Sequence, residues 1–271
     1  MKQEKQLSRF RRGRISAQRE LRKQRRIRDN LERQLFTRLT SLFGKFINTR
    51  AFIYREFGQF DIGISARDLE LELVPVIQRH YRRVFNTLYR ENNRTDTLEA
   101  KDDVVIFGRN KDLEPFLEEY FRERQLILAG ISANIAKRID RVIRRGRRVG
   151  LTLPEIAANI EKVRALARPR AATIARTETH NAAGFAQHRY YKEVEKDFGS
   201  KLLKKWVATK DGRTRDAHRE MNSKGPIPMD EDFIVGGKQM KHTGDPRGGA
   251  SNNINCRCVI IYVDEQDVVL D

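Results

Sequence analysis

Apolar residues recur every three or four positions through most of the first two hundred residues, and they predict a series of long helices. Leu31, Leu35, Leu39, Leu42, Phe43 and Phe46 line one face of the first, a spacing that demands a partner surface. Gly58 and Gly63 break it. Val74, Ile77, Tyr81, Val84, Phe85 and Leu88 predict a second helix that begins near Ser65 to Asp68. Pro75 fits it only in the first turns, because proline lacks an N–H and clashes with the preceding turn. His80 sits beside that stripe and reads as a partly exposed helix histidine. After a polar stretch with one short apolar run at Val104 to Phe107, read as a brief strand or link, Phe116 to Ile143 predict a third helix. Its isoleucines fall every four residues from Ile127, a narrow stripe suited to one long neighbour or a partner subunit. Gly150 ends it, and Thr152 with Glu155 has capping-box spacing around Pro154. That helix should stop near Ala167, before Pro169, and another should run from Arg170 to Phe198 with Ala171, Ala175, Ala182, Ala183 and Ala186 as close-packing positions.

The pattern then changes character. Trp206 to Ala208 reads as a strand, Asp211 and Gly212 as a turn, and Thr214 as the N-cap of a short helix through His218 to Met221. Phe233 to Val235 and Lys238 to Met240 flank Gly236–Gly237, a hairpin signal. Cys256 to Val263 is apolar and β-branched enough to be a strand, expected at the centre of a small sheet. The fold class is therefore α+β: an elongated, mostly helical N-terminal region followed by a small mixed α/β C-terminal module with a short antiparallel sheet. The divisions fall at 1–28, a basic and flexible arm; 29–150, helical; and 151–271, a domain with helices over 152–198 and a small sheet module over 203–264.

Charge changes the picture next. The 271 residues carry a net charge of +18, a field that draws in polyanions such as nucleic acid or an acidic protein face. Arg11, Arg12, Arg14, Arg22, Lys23, Arg25 and Arg26 concentrate it in the arm, and Arg141, Arg144, Arg145, Arg147 and Arg148 at the end of the third helix. One or two cations there complement the helix dipole; the remainder exceed that need. No apolar run approaches the roughly 20 residues that span a bilayer, so neither a membrane nor export is expected. Two cysteines one residue apart are not a disulfide framework and point to a reducing setting.

The helix with ARTET, then WVATKDGRTRDAH, then a loop with GDP, then INCRCVI resembles the C-terminal domain of phage minor head proteins related to the phage Mu F protein, over roughly Thr152 to Tyr262. The residues that carry the resemblance are Arg176, Glu178, Trp206, Arg215, His218, Gly244, Asp245, Pro246, Asn255, Cys256, Arg257 and Cys258. The resemblance implies a low-copy protein of a tailed-phage virion that is portal-associated during head assembly and bound to packaged or ejected DNA. With the basic arm and helix end, the expectation extends to sequence-independent contact with double-stranded DNA and docking on portal, capsid or scaffolding protein. The resemblance implies no catalytic activity in the core domain.

Two chemical readings of the module stay open. In a strand, Cys256 and Cys258 would share a face, and with His218 and His242 they would complete a tetrahedral zinc site. The one-residue gap between the cysteines and the long separation of the histidines favour buried thiols packed as small apolar groups instead. Arg176, Glu178, Arg215, Arg257 and Asp245 are expected to form a buried ion-pair clasp between helix and sheet. The alternative function is a metal-dependent nuclease or hydrolase built on His218, Asp216, His242, Asp245, Cys256 and Cys258.

Overall fold

The computed structural model describes residues 17–97, 113–199, 201–209 and 211–265. Arg11, Arg12, Arg14 and the run Val104 to Phe107 lie outside them. Four long helices come first: α1 (Ala17–Phe57), α2 (Ile62–Thr97), α3 (Glu114–Arg148) and α4 (Leu153–Phe198). Contacts divide the chain into two units.

One unit comprises Glu32–Tyr81 and Glu119–Arg176, and it is a four-helix bundle. Leu35, Leu39, Phe43 and Ile47 of α1, Leu69, Leu73 and Ile77 of α2, Ile131, Ile135, Ile139 and Ile143 of α3, and Ile156, Ile160 and Val163 of α4 are all buried. Polar and aromatic contacts tie each helix to its neighbours. Arg50 of α1 pairs with Asp68 of α2, the rings of Tyr81 and Tyr120 meet edge to face at 4.8 Å, and Arg168 lies over Phe36 at 5.8 Å. Asp61 caps α2, its carboxylate accepting from the Ile64 N–H at 2.7 Å. Thr152 and Glu155 meet as the spacing predicts, the Thr152 N–H donating to Glu155 at 2.8 Å, and those bonds hold the Glu155 carboxyl below its usual range. Gly150, at φ 72°, ends α3 while the Leu151 N–H reaches back to the Gly146 carbonyl at 3.0 Å.

Both prolines depart from the sequence reading. Pro75 lies well inside α2, and Pro169 lies inside α4, which runs unbroken from Leu153 to Phe198. A proline costs an interior helix about 3 kcal/mol through its missing hydrogen bond and ring clash. Each stands off the buried stripe, with Leu71 and Ala165, whose carbonyls lose their partners, on the exposed side. Water can satisfy those carbonyls, while Ile160, Val163, Ala167, Ala171 and Ile174 carry the apolar stripe past Pro169. His80 is buried rather than partly exposed.

The other unit comprises Met1–Leu31, Arg82–Glu118 and Thr177–Asp271. Its axis is the second part of α4, where residues 177–188 are buried without exception, the state of a helix enclosed on all sides. Around it lie β1 (Leu202–Val207), α5 (Asp216–Ser223), β2 (Ile227–Pro228), β3 (Phe233–Val235), β4 (Lys238–Met240), a 3₁₀ turn (Pro246–Gly248), α6 (Gly249–Asn253) and β5 (Val259–Asp264). The sheet order is β2-β1-β5, antiparallel throughout, with Trp206 opposite Ile260. β1 therefore holds the centre and β5 an edge, the reverse of the expectation for the cysteine strand. β3 and β4 form the predicted hairpin, with Gly236 and Gly237 at φ 54° and 74°, the left-handed pair that a two-residue turn requires.

Residues 17–28 are helical, not a flexible arm. Leu21 joins Val207, Val259 and Ile261 in an apolar cluster, and Gln24 and Arg28 continue the same buried face. After Leu21 the inward stripe of α1 thus continues through polar residues, which hydrophobic periodicity does not register.

Candidate functional site

The motif residues converge inside this second unit, beginning with a loop that folds on its own side chains. Asp211 accepts from the Arg213 N–H at 3.0 Å and from the Thr214 hydroxyl, while Arg257 closes on it at 2.8 Å. Burial pushes the Asp211 carboxyl up, but the bonds from Arg257 and Arg213 outweigh it and hold the group below its usual range. Thr214 is not the N-cap of α5; that position is Arg215. The Thr214 hydroxyl instead turns back to the Thr209 carbonyl, and the Arg215 guanidinium donates to the Ile254 carbonyl at 2.6 Å.

The GDP element makes a second self-contained turn. Gly244 takes φ 83°, and a Cβ there would lie 2.4 Å from Asn181 Cα of α4. Asp245 then caps the 3₁₀ turn by accepting from the Arg247 N–H at 2.9 Å, with Pro246 following. Its other oxygen accepts from the Lys241 N–H at 2.7 Å. Arg247 bridges Asp245 and Asp232 at 2.7 and 2.8 Å. Both carboxyls sit below their usual range: at Asp232 the Arg247 bond leads, and at Asp245 burial works against it.

At the third cluster, Cys256 and Cys258 lie in the segment before β5 rather than in the strand. Their sulfurs nonetheless meet His218 of α5: its Nδ1 is 3.3 Å from Cys258 Sγ and 3.7 Å from Cys256 Sγ. The Asn252 Oδ1 faces Nε2 of the same ring at 3.4 Å, and Trp206 packs edge-on to it at 5.3 Å. Cys256 is drawn well below the usual thiol range by the hydrogen bond from Cys258 and by His218.

Beneath the cysteines lies Arg28, fully buried. It donates to Gln187 at 2.6 Å, to Gln24 at 3.0 Å and to the Cys258 carbonyl at 3.3 Å. No carboxylate among the described residues pairs with it. Burial lowers its pKa to about 10, with the nearby Cys256 and Tyr262 opposing that shift.

His242 does not join the cysteines. Its Nδ1 faces the Thr243 carbonyl at 3.0 Å, and its ring packs against Phe185 and, at 5.5 Å, His188. The four-ligand set, the less favoured reading of the sequence, is therefore not assembled. Burial, with His242 and Lys204 nearby, takes His188 down to about 2, and burial lowers His242 as well. The nuclease constellation divides in the same way: Asp245 is bound up with Arg247, and Asp216 is a solvent-facing partner of Arg219.

The expected ion-pair clasp is likewise divided into local pairings. Arg257 takes Asp211, Asp245 takes Arg247, and Arg215 takes a carbonyl. In the bundle Arg176 takes Glu32 at 3.1 Å. Glu178 is buried in α4. Shape and backbone hydrogen bonding also bind helix to loops. A Cβ on Gly184 would lie 1.9 Å from the Thr243 carbonyl oxygen. The Asn255 N–H donates to the Thr177 hydroxyl at 3.1 Å, with Asn255 in the left-handed region at φ 58°. Asn252 and Asn253 donate to the Val235 and Asp245 carbonyls at 3.0 and 2.7 Å. Sequence reading passed over Thr177, Gly184, Asn252, Asn253 and Arg247; the dense Asn and Gly around the motif were the available signal.

On the basic surfaces, Arg22 and Arg26 are exposed, and Lys23 and Arg25 half-buried. Arg141, Arg144, Arg145 and Arg148 face solvent, Arg144 pairing with Asp140 at 2.7 Å. Arg147 has a structural engagement, donating to the Tyr54 hydroxyl at 2.9 Å and lying over its ring.

A small sheet and short helices thus surround a buried polar helix, with the GDP and NCRC elements at its contacts. Residues 135–261, just under half of the chain, match the family described as Phage Mu protein F like protein. The chain is 31% identical over 135 residues to the minor head protein GP7 of Bacillus phage SPP1, covering 48% of this chain and 41% of that protein. It is 34% identical over 131 residues to the NAD(+)--arginine ADP-ribosyltransferase EFV of Enterococcus faecalis (strain ATCC 700802 / V583), covering 48% of this chain and 26% of that protein. The chain thus spans less than half the length of either relative. No solved structure matches it. Among the described residues no helix is long and apolar enough to cross a membrane.

Proposed function

We propose that the protein is a minor head protein of a tailed phage, a virion component that acts in head morphogenesis. The observation that supports this most is the family segment at 135–261, in which the motif residues serve the packing of one compact domain. Their hydrogen bonds run mostly to backbone and to one another, the pattern of a scaffold built to present a surface. Docking on the portal, with capsid or scaffolding protein close by, is the role this reading assigns to that surface.

The exposed arginines at the end of α3 and along the first turns of α1 supply a second contact, to DNA phosphates. Such contacts are independent of sequence and weaken steeply with salt. Arg147 is set apart from them because Tyr54 holds it. Catalysis forms no part of the proposal, since the residues of the nuclease reading lie in separate hydrogen-bonded groups.

The test is genetic complementation in a strain that produces the phage. Disrupting the gene is expected to give aberrant or non-infective heads, restored by the wild-type protein. A full yield of infective particles with normal heads in its absence would overturn the reading.

A further inference from the structure

The NCRC element and the DAH element place two sulfurs and one imidazole nitrogen within 4.8 Å of one another. The three come from two separate stretches, one from the short helix α5 and two from the segment before β5. We propose that His218, Cys256 and Cys258 bind one zinc ion that holds the C-terminal module together.

The geometry suits the ion. Zinc takes sulfur at about 2.3 Å and imidazole nitrogen at about 2.0 Å in a tetrahedral arrangement, which sets a ligating nitrogen and sulfur roughly 3.5 Å apart. The two nitrogen-to-sulfur distances, 3.3 and 3.7 Å, bracket that separation. The imidazole is also oriented for it. Asn252 donates its amide N–H to the Val235 carbonyl at 3.0 Å, which turns its oxygen toward His218 Nε2. The proton then belongs on Nε2, leaving the Nδ1 lone pair aimed at the sulfurs. A ligating histidine whose second nitrogen donates to an oxygen is the usual outer-shell arrangement of zinc sites.

Burial fixes the role. His218, Cys256 and Cys258 are 1%, 4% and 3% exposed, so a substrate-sized molecule has no path to the ion, and the fourth position left by three protein ligands would fall to a single water molecule. His242 stays outside, held by Thr243 and its ring neighbours. The need for a staple is plain from the elements: strands of two and three residues and a helix of five cannot hold their own arrangement, and metal binding free energy becomes folding free energy in such modules.

The experiment uses the full chain, purified without chelators or metal-affinity resin. Elemental analysis is expected to find one zinc per chain, and stripping it should lower Tm, with zinc restoring it. Refilling with cobalt should give a sulfur-to-cobalt charge-transfer band and intense tetrahedral visible bands. Cys258→Ser should weaken the charge-transfer band, and His242→Ala should leave metal content unchanged. A folded protein free of metal, with Tm indifferent to zinc and chelator and no charge-transfer band on cobalt addition, would overturn the proposal. So would zinc retained in full by His218→Ala.

Discussion

Arg28 is the clearest case of a single side chain with more to do than its charge suggests. It is buried with three acceptors and no carboxylate partner, an arrangement only a planar, multi-donor cation can satisfy. Arg28→Ala would leave two glutamine oxygens unpaired and open a cavity beneath the cysteines, and it is expected to cost about 3 kcal/mol or more. Arg28→Lys should rescue little of that, because one ammonium cannot copy the fork; denaturant midpoints of both variants check this. Asn255 makes a smaller, backbone-level contribution. At φ 58° a β-branched residue meets a penalty of about 1 to 2 kcal/mol, so Asn255→Val should be clearly destabilising and Asn255→Gly much less so. Asn255 and the cysteines could be picked out from sequence as motif members. Arg28 could not, because its neighbours in sequence are solvated arginines and only the spacing from Leu21 through Gln24 to Arg28 marks the buried face.

At the scale of elements, the apolar stripes located the long helices, the Thr152 and Glu155 cap, the Gly150 stop and the Gly236–Gly237 hairpin. They misplaced the boundary at Pro169 because proline propensity is local, while the stripe from Ile160 to Ile174 is sustained by packing on both sides of it. The order of strands was not legible either: β5 (VIIYVD) is more apolar than β1 (LLKKWV), yet β1 is central because it alone pairs with Ile227 and Pro228. The closest approach of elements is α4 to the loop before the 3₁₀ turn. Gly184→Ala would drive a methyl group into the Thr243 carbonyl, and since backbone must move, a loss of about 2 kcal/mol is expected. Thermal unfolding of the variant checks it. For α3, replacing Arg141, Arg145 and Arg148 together by Ala should leave the fold intact and flatten the salt dependence of duplex DNA binding by about 0.9 in log–log slope for each phosphate no longer neutralised. Filter binding from low to high salt reads that slope.

For the whole molecule, the buried histidine pair sets the acid limb of stability. His188 and His242 are neutral when folded, with His188 down at about 2 and His242 lowered by burial. The unfolded chain takes up protons on both near the ordinary value of about 6.5, so the unfolded state binds more protons and stability falls as pH drops below it. The loss should approach about 1.4 kcal/mol per pH unit for His188, with His242 adding in the same direction, and it starts above the range where carboxylates titrate. Denaturant midpoints between neutral and mildly acidic pH measure it, and His188→Phe should reduce the slope. The charge balance and the helix-then-module order were readable from the sequence, and the family followed from its motifs. Which surface would meet the head under the proposed function was not, because a docking face is written in no periodicity. The most direct measurement is therefore where the protein travels: an immunoblot across a sucrose gradient of a phage-producing lysate, probed beside portal and major capsid protein. The account predicts sedimentation with heads at low stoichiometry; confinement to the soluble fractions at the top of the gradient would contradict it.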